Sequence, residues 1–345
     1  MEQRVRIADI AEELGISTAT VSNVIHGKTK KISDETVKRV QALLEERRYI
    51  PSMAGMLLAR NDSRIIGVVV NNHEKYEGKV LEDAFVSASL NALLFELEKA
   101  GYFMMIKVTR DWNEVERFAS MWNMDGMVLL GFCDSDYEKI RARMRIPFVV
   151  YDGFFEKDKG ICNLTIDNFD GGRQVGEYLR WIGHGRALLL SDNDICVDAE
   201  RMAGFRAGFL DGETDFLKVP MNRAGRYLLY QENLERIRMC TAAFAVSDVY
   251  AAEFIHFLME RGISVPEEMS VVGFDNNALC ESCFPRLTTV GQDAGERAKV
   301  AVCALKDLQN GCIEPMVEVL PVKLVIRDST TSVKGHSQDV EQTMT

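Results

Sequence analysis

Short apolar runs alternate with longer amphipathic segments over most of this 345-residue chain, and this alternation limits its possible folds more than any other feature. Apolar runs of strand length that alternate with helical segments are typical of parallel sheets covered by helices on both faces. Because about 280 residues follow residue 64, we expect two such α/β sheets rather than one. The runs are IIGVVV (65–70), FMMIKV (103–108), GMVLL (126–130), PFVVY (147–151), ALLLS (187–191), AAFAV (242–246) and SVVGF (270–274). The amphipathic segments include 82–100, 170–182, 199–210 and 248–261.

The first sixty residues follow a different pattern, that of three short helices. Apolar residues recur at helical spacing over 7–14, and Gly15 ends this helix. Ser17 is a favourable N-cap for a second helix that Gly27 ends, and Ser33 is one for a third. Three short helices with a tight glycine turn outline a helix-turn-helix DNA-binding module. The predicted inner faces are Ile7, Ile10, Ala11 and Leu14, then Val21, Val24 and Ile25, then Val37, Val40 and Leu44.

The outer face of the second helix favours DNA binding over the alternative, a three-helix bundle without a ligand. Its side chains are small or polar and carry no long charged arm, so the helix can approach base edges and phosphates closely. A loop with Lys28, Lys30 and Lys31 follows it. The outer residues are Thr18, Ala19, Ser22 and Asn23, flanked by Ser17, Thr20 and His26.

The formal net charge of −11 argues, taken alone, against a nucleic-acid partner. The charge is unevenly distributed, because the first 60 residues contain ten Lys or Arg and eight Asp or Glu. Their net charge is +2, which leaves −13 on residues 61–345. Since charges act over a Debye length of about 8 Å, distant acidic surface does not cancel a local lysine cluster. The acidity of the chain therefore does not exclude DNA binding by its first 60 residues.

The segments IADIAEELGISTATVSNVIHGK and ISDETVKRVQALLEERRYIPS closely resemble the headpiece of the LacI/GalR family of bacterial transcription regulators. The resemblance continues in the family's order through IIGVVV, DNFDGG, ERMAGF, SVVGFDN, LTTVGQD and LVIRDST, and covers residues 5 to about 330. It implies an all-α helix-turn-helix headpiece (1–48), a hinge segment (49–64), an α/β periplasmic-binding-protein-like core of two doubly wound parallel-sheet subdomains (65–330) and a polar tail (331–345). Three crossing strands would join subdomain one, about 65–163 plus 293–322, to subdomain two, about 164–292 plus 323–330.

The resemblance implies that the second helix enters the major groove of double-stranded operator DNA, where residues matching Thr18, Ala19 and Asn23 contact bases. Most family members carry Arg where this chain has Asn23. Arg favours guanine, whereas Asn can pair with adenine N6 and N7, and Ala19 can only contact a thymine methyl. We therefore expect an operator half-site with adenine opposite Asn23. The remaining implied DNA contacts are Arg6, Ser17, Thr20, Ser22, His26, Ser33 and Tyr49.

The resemblance also implies that residues 49–64 form a hinge helix on the operator and insert Leu58 into the minor groove, which kinks DNA. Gly55 and Met56 stand where Ala and Arg are usual. Gly costs about 1 kcal/mol relative to Ala inside a helix, so the free hinge should be less helical. The alternative is that this segment is only a linker.

Polar residues follow four of the apolar runs, and ligands of open α/β sheets bind beyond the carboxyl ends of strands. Each could instead cap the following helix. Together with Arg201 and Gln292 they match effector-binding positions of sugar-responsive family members, and Tyr227 would supply a stacking face. Carboxylates, amides and a guanidinium suit a polyhydroxylated small molecule, so a sugar is favoured. The four strand-end residues are Asn71, Asp152, Asp248 and Asp275.

Several positions depart from the family pattern and leave the effector open. Ser247 stands where Asn usually precedes the Asp, Gly153 replaces a frequent Arg, and Gly131 leaves a usual polar position empty. The segment NNHEKYEGK also lacks the common Asn-Pro-Phe-Phe. A purine, an amino sugar and a phosphorylated sugar therefore stay as alternatives to a neutral sugar.

The sequence argues against catalysis, metal binding and membrane insertion. It has no dinucleotide or Walker fingerprint, and no nucleophile–base pair stands out. Cys280 and Cys283 form a CxxC without a second pair, so we expect no metal and no cofactor. Acidic residues such as Asp198 and Glu200 are expected at the solvated surface. No signal peptide or membrane span is present, so we expect a cytoplasmic protein rather than a transport-type sugar receptor.

The expected function is a transcription regulator, of the repressor type, whose operator affinity depends on an effector bound between the core subdomains. One headpiece recognises only a half-site, so a homodimer is expected. The polar tail lacks Leu heptads, which argues against a coiled-coil tetramer. The alternative is constitutive DNA binding with a degenerate pocket.

Overall fold

A computed structural model of the chain describes residues 5–50, 63–132, 144, 146–153, 162–312 and 317–333. It divides into two compact units, Met1–Ser63 and Arg64–Thr345. Gly55, Met56, Leu58 and most of the polar tail lie outside the described residues. No helix within these ranges is long and apolar enough to span a membrane.

The first unit contains the three predicted helices, α1 (Ile7–Leu14), α2 (Thr18–Ile25) and α3 (Asp34–Glu46). Gly15 ends α1 in the left-handed region at φ 66°, which a glycine adopts without strain. Ser17 Oγ accepts a hydrogen bond from the Thr20 N–H at 3.1 Å, and Ser33 caps α3 in the same way. The helix-turn-helix prediction and both N-caps are confirmed. The buried core is Ile10, Ala11, Val21, Val24, Val40 and Leu43.

The second unit contains two sheets of six described strands each. In chain order the strands are β1 (Ile65–Val70), β2 (Phe103–Val108), β3 (Gly126–Leu130), β4 (Phe148–Tyr151), β5 (Cys162–Ile166), β6 (Arg186–Ser191), β7 (Glu213–Lys218), β8 (Ala242–Ala245), β9 (Ser270–Asp275), β10 (Thr288–Gly291), β11 (Val317–Leu320) and β12 (Lys323–Val325). The sheet orders are β11-β5-β4-β3-β1-β2 and β12-β10-β9-β8-β6-β7. All pairs are parallel except β10 with β12, which confirms the predicted parallel architecture.

Every apolar run identified in the sequence forms a strand, whereas β5, β7, β10, β11 and β12 were not predicted. Three of these five lie at sheet edges, where one side is not covered by a neighbour and polar residues are tolerated. Among the described strands, apolar continuity therefore identified six of the eight interior strands and one of the four edge strands, and missed the interior strands β5 and β10.

Helices connect and cover the strands of both sheets. They are α4 (Ala84–Lys99), α5 (Trp112–Met121), α6 (Asn168–Trp181), α7 (Cys196–Gly208), α8 (Arg223–Glu232), α9 (Leu234–Arg238), α10 (Asp248–Glu260), α11 (Leu279–Ser282) and α12 (Ala294–Gln309). Two short 3-10 helices, Glu74–Tyr76 and Val80–Glu82, follow β1.

The chain passes between the two sheets three times: after β5, after β10 and between β11 and β12. Strand β5 belongs to the first sheet and continues to Ile166. The expected subdomain boundary after about residue 163 therefore falls inside a strand, and the first crossing lies at Asp167. Parallel pairing of β5 with β4 keeps these residues in subdomain one.

Helices α6 and α7 approach each other so closely that their backbones are in contact. A Cβ atom at Gly172 would lie 1.9 Å from the Arg201 carbonyl oxygen, and one at Gly204 would lie 1.9 Å from that of Phe169. Gly176, also in this interface, has the same constraint. Real Cβ contacts of this length do not occur, so glycine is required where the two helices meet.

We expect Gly204→Ala to destabilise the second unit by about 3 kcal/mol, because the opposing atom is rigid backbone rather than a movable side chain. Urea unfolding followed by circular dichroism measures this change. Gly185→Ala is the matched control, since open space surrounds its Cβ position. Equal stabilities of the two variants would contradict a close helix contact.

His184 is buried beside the second sheet, and its ring makes hydrogen bonds to three other segments of the chain. Its Nδ1 hydrogen-bonds with Thr241 Oγ1 at 2.9 Å, and its Nε2 lies 3.1 Å from Ser270 Oγ and 3.2 Å from the Thr331 carbonyl oxygen. Burial lowers the pKa of His184 to about 4. The imidazole therefore stays neutral in the folded chain at neutral pH.

This histidine makes stability depend on pH. The unfolded chain binds a proton on His184 near pH 6.5, whereas the folded chain binds it only near pH 4, so stability falls as pH decreases through this window. The contribution lost between pH 7 and pH 5 is about 2 kcal/mol. Urea unfolding at several pH values should show this slope in the wild type and a smaller slope in His184→Gln. Identical slopes would show that His184 titrates normally in the folded chain.

Candidate functional site

A continuous series of polar contacts joins the carboxyl ends of strands from both sheets. Asp152, directly after β4, lies 2.5 Å from Arg297 Nη2, and Arg297 Nη1 donates to Gln292 Oε1 at 3.1 Å. Gln292 Nε2 donates to Asp275 Oδ1 at 2.9 Å, and that oxygen lies 3.8 Å from Arg201 Nη1. We call these five residues the cleft network and the space between the facing strand ends the cleft. The network connects subdomain one to subdomain two.

Arg201 is fixed in position by contacts on several sides. Its Nε donates to Asn168 Oδ1 at 2.9 Å, and its Nη1 donates to the Val246 carbonyl at 2.7 Å. The guanidinium lies 3.8 Å from the Phe274 ring centroid. A planar cation that is hydrogen-bonded and stacked in this way loses little further freedom when a ligand binds.

The two carboxylates of the cleft network sit on strained backbone. Asp152 has φ 54° and Asp275 has φ 121°, both in the region that favours glycine. Burial raises the pKa of Asp275 well above its usual range; Arg201 opposes this shift and Asp248 adds to it. Strained, desolvated polar groups cost stability and persist where neighbouring contacts hold them, which is common at binding sites.

Asp248 and Asn71 have different surroundings. Asp248 is fully buried; its Oδ1 accepts from Thr289 Oγ1 at 2.5 Å and its Oδ2 from the Asn277 N–H at 3.1 Å. These contacts use its carboxylate inside subdomain two, and Ser247 rather than Asp248 caps α10. Asn71 Nδ2 donates to the Gly131 carbonyl at 2.8 Å, and no described residue hydrogen-bonds its buried Oδ1. Asn71 can therefore still accept a hydrogen bond.

Tyr227 makes its described contacts with the core of subdomain two. It lies in α8, and its ring meets Phe257 edge-on at 5.2 Å between centroids, packed against the core of subdomain two. No described residue hydrogen-bonds its buried hydroxyl group. A stacking role for Tyr227 towards a ligand stays a prediction.

The cleft also contains polar residues that were not predicted. Asp192 directly follows β6, so the same strand-end argument would have found it. Asp198 was expected at the surface, yet its Oδ2 accepts from Ser191 Oγ at 2.9 Å and Asn193 Nδ2 at 2.8 Å, and burial raises its pKa. Arg297 lies within α12, and no local sequence signal identifies its role.

The predicted DNA-contacting residues lie mainly on the outer side of α2. Thr18, Ala19 and Asn23 are exposed. Thr20, Ser22 and His26 are partly buried. Ser17 and Ser33 are exposed, and their hydroxyl groups already accept the capping hydrogen bonds. Arg6 at the start of α1 is exposed, and Tyr49 after α3 is partly buried. The lysines of the following loop are Lys28, Lys30 and Lys31.

Comparison with known proteins agrees with this arrangement. Residues 6–52 match the model of bacterial regulatory proteins, lacI family, and residues 177–330 match the model of a periplasmic binding protein-like domain. The chain therefore contains a lacI-family DNA-binding domain and a periplasmic-binding-protein-like domain. Like its LacI-family relatives, it is a DNA-binding transcription regulator and not an enzyme.

Three LacI-family relatives are informative. The transcriptional repressor PurR of Escherichia coli is 28% identical, with 94% of this chain and 96% of PurR covered. A lac repressor dimer bound to operator and the anti-inducer ONPF has a TM-score of 0.82 and 23% identity, with 96% and 100% covered. A regulator from Enterococcus faecium with bound ribose has a TM-score of 0.66 and 25% identity, with 78% and 100% covered.

Among the described residues, no group of three or more His, Cys, Asp or Glu side chains is arranged so that it could hold a metal ion. Cys280 and Cys283 are free thiols, and burial raises the pKa of both.

Proposed function

We propose that this protein is a cytoplasmic, homodimeric repressor whose operator affinity is controlled by a small-molecule effector bound in the cleft. The observation that carries this proposal is the cleft network, because it includes carboxylates and guanidinium groups from both subdomains. A ligand that contacts Asp152 and Asp275 interacts with both subdomains at once. Its binding energy therefore depends on the angle between them, which is the requirement for allosteric control.

The chemistry of the cleft favours a sugar or sugar derivative as effector. Carboxylate oxygens of Asp152 and Asp275 accept hydrogen bonds from hydroxyl groups, and Asn71 Oδ1 offers a further acceptor. The ribose bound by the Enterococcus faecium relative supports this class. Effector binding would change the separation of the two hinge segments in the dimer, residues 49–64 with Tyr49 and Leu58, and with it the affinity for operator DNA.

On the DNA side, we propose that α2 lies in the major groove. Thr18, Ala19 and Asn23 face the bases, because they are short side chains on the outer side of this helix. The Ser17 and Thr20 hydroxyls, at the capped N-terminus of α2, would contact phosphates. Ser22, His26, Arg6 and Ser33 would complete the backbone contacts.

Asn23→Arg should change the preferred base opposite residue 23 from adenine to guanine. A bidentate side-chain–base pair discriminates by about 1–3 kcal/mol, so each variant should prefer its own base at least about fivefold. Binding-site selection with the full-length chain measures this preference. Gln41→Arg is the matched control, since it adds the same charge at an exposed position of α3. A guanine preference already present in the wild type, and unchanged in Asn23→Arg, would refute the assignment.

A thermal-shift screen of D-ribose, D-galactose, cellobiose and adenine tests the effector site. A ligand at about 100 times its dissociation constant stabilises the chain by about 2.7 kcal/mol. Asp275→Asn should weaken binding of the active ligand at least about tenfold, because one carboxyl oxygen that accepts hydrogen bonds becomes an amide donor.

The control for this experiment is Asp194→Asn, an exposed carboxylate paired with Lys218 at 2.9 Å. Equal ligand affinity in Asp275→Asn and the wild type would place the effector elsewhere. Operator binding that no ligand of a broad panel changes would favour the constitutive alternative.

A further inference from the structure

The helices α1, α2 and α3 of the first unit end in the same backbone turn, but the third differs from the other two in its residue type. In this turn, the Schellman motif, a residue just after the helix adopts the left-handed region and two N–H groups donate back to carbonyls of the last turn. Glycine takes this position after α1 and α2, with φ 66° at Gly15 and φ 70° at Gly27. After α3 the position is taken by Arg48, with φ 48°.

The turn after α3 therefore places Arg48 on strained backbone. Its N–H donates to the Glu45 carbonyl oxygen at 3.0 Å, and the Tyr49 N–H donates to that of Leu44 at 2.9 Å, which completes the motif. An L residue in the left-handed region brings its Cβ close to a backbone carbonyl, whereas glycine has no Cβ. Arginine also lacks the short polar side chain with which Asn and Asp offset this cost. Such strain is common at functional positions.

The guanidinium of Arg48 is available to a partner. The side chain is exposed, and among the described residues it has no hydrogen-bond or ion-pair partner. The neighbouring arginines are both engaged with α1. Arg39 Nη2 donates to the Leu14 carbonyl oxygen at 3.4 Å. Arg47 Nη2 lies 2.8 Å from Glu13 Oε1.

The alternative role of Arg48 is to stabilise the C-terminus of α3, because the helix dipole favours a cation there. The last turn of α3 contains Glu45 and Glu46 and no basic residue. Arg48 pairs with neither carboxylate, and Arg47 at the C-cap already places a cation at this end. A lysine or arginine in the last helical turn would supply the same charge without strain. The dipole therefore does not explain an arginine in the left-handed region.

We propose that Arg48 is a further operator contact: its guanidinium binds a phosphate of the DNA backbone where the chain passes from the headpiece into the hinge segment. This inference rests on the proposed function, in which the next residue, Tyr49, contacts operator DNA. Adjacent Cα atoms are about 3.8 Å apart, so the sugar-phosphate backbone that Tyr49 reaches also passes within reach of the longer Arg48 side chain. The guanidinium fork pairs with two oxygens of one phosphate, which glycine cannot do.

Arg48→Gly separates the two roles, because a DNA contact and a structural role predict opposite effects on α3. Relief of the strained turn should make the amides of α3 exchange about two- to fivefold more slowly in the free full-length protein. Loss of the phosphate contact should weaken operator binding at least about tenfold. It should also lower the slope of log affinity against log salt by about 2 for a dimer, because each contact contributes about 0.9. Hydrogen–deuterium exchange and fluorescence anisotropy over a range of KCl concentrations measure these changes, with the duplex obtained by binding-site selection.

Three further full-length variants serve as comparisons. Arg48→Asn should lose the same slope as Arg48→Gly, since Asn tolerates the left-handed region and carries no charge. Arg48→Lys keeps the charge and should keep the slope. Arg39→Gln is the matched control, because it removes the same charge from α3 at a guanidinium that already donates to the Leu14 carbonyl. Its slope should equal that of the wild type.

Slower exchange of α3 in Arg48→Gly, together with a lower slope in Arg48→Gly and Arg48→Asn alone, would support the proposal. Wild-type slopes in both would overturn it, and faster exchange of α3 would then identify Arg48 as a partner of the helix C-terminus. An equal loss of slope in Arg39→Gln would also overturn it, as a general effect of charge. The slopes are measured with a scrambled duplex as well. A wild type that binds both duplexes equally would refute operator recognition, while the slopes still decide whether Arg48 binds phosphate.

Discussion

The backbone contact between α6 and α7 is the constraint on which the cleft depends. Because Gly172 and Gly204 leave no Cβ between the helices, α7 lies close enough for Arg201 to reach Asn168 on α6. Arg201 in turn stacks on Phe274 and lies beside Asp275. A side chain in this interface would push α7 outward and remove the guanidinium from the carboxyl end of β9. The glycines therefore act on the site through geometry rather than through contact with a ligand.

Two features of the cleft network are energetically unfavourable: positive φ angles and a desolvated carboxyl group. Asp152 and Asp275 adopt positive φ angles, and Asp275 is desolvated to the point that its pKa is raised. Arg297 and Arg201 compensate these costs, since each guanidinium reaches one carboxylate while Gln292 connects the two halves. Such an arrangement is sensitive to the angle between the subdomains, because the contacts span a chain crossing.

The two parts of the chain differ in the sign of their net charge. Of the net −11, the first 60 residues contribute +2, with Lys28, Lys30 and Lys31 in the loop after α2. The rest of the chain carries −13, to which Asp152 and Asp275 of the cleft network contribute formally. The net charge of −11 is therefore the sum of a weakly basic N-terminal part, which suits phosphate, and an acidic remainder, whose carboxylates suit hydroxyl groups.

The sequence by itself determined the local elements. Ser17 and Ser33 capped the predicted helices, continuous apolar runs formed most of the interior strands, and Asp152 and Asp275 stood at strand ends, because these features depend on neighbours within a few residues. Only the tertiary structure decided which groups meet. It brought Arg297 to Asp152, turned Asp248 inward and packed Tyr227 against Phe257, because each depends on contacts between residues far apart in the chain. Edge strands such as β7 and β12 likewise owe their pairing to a neighbouring strand rather than to their own composition.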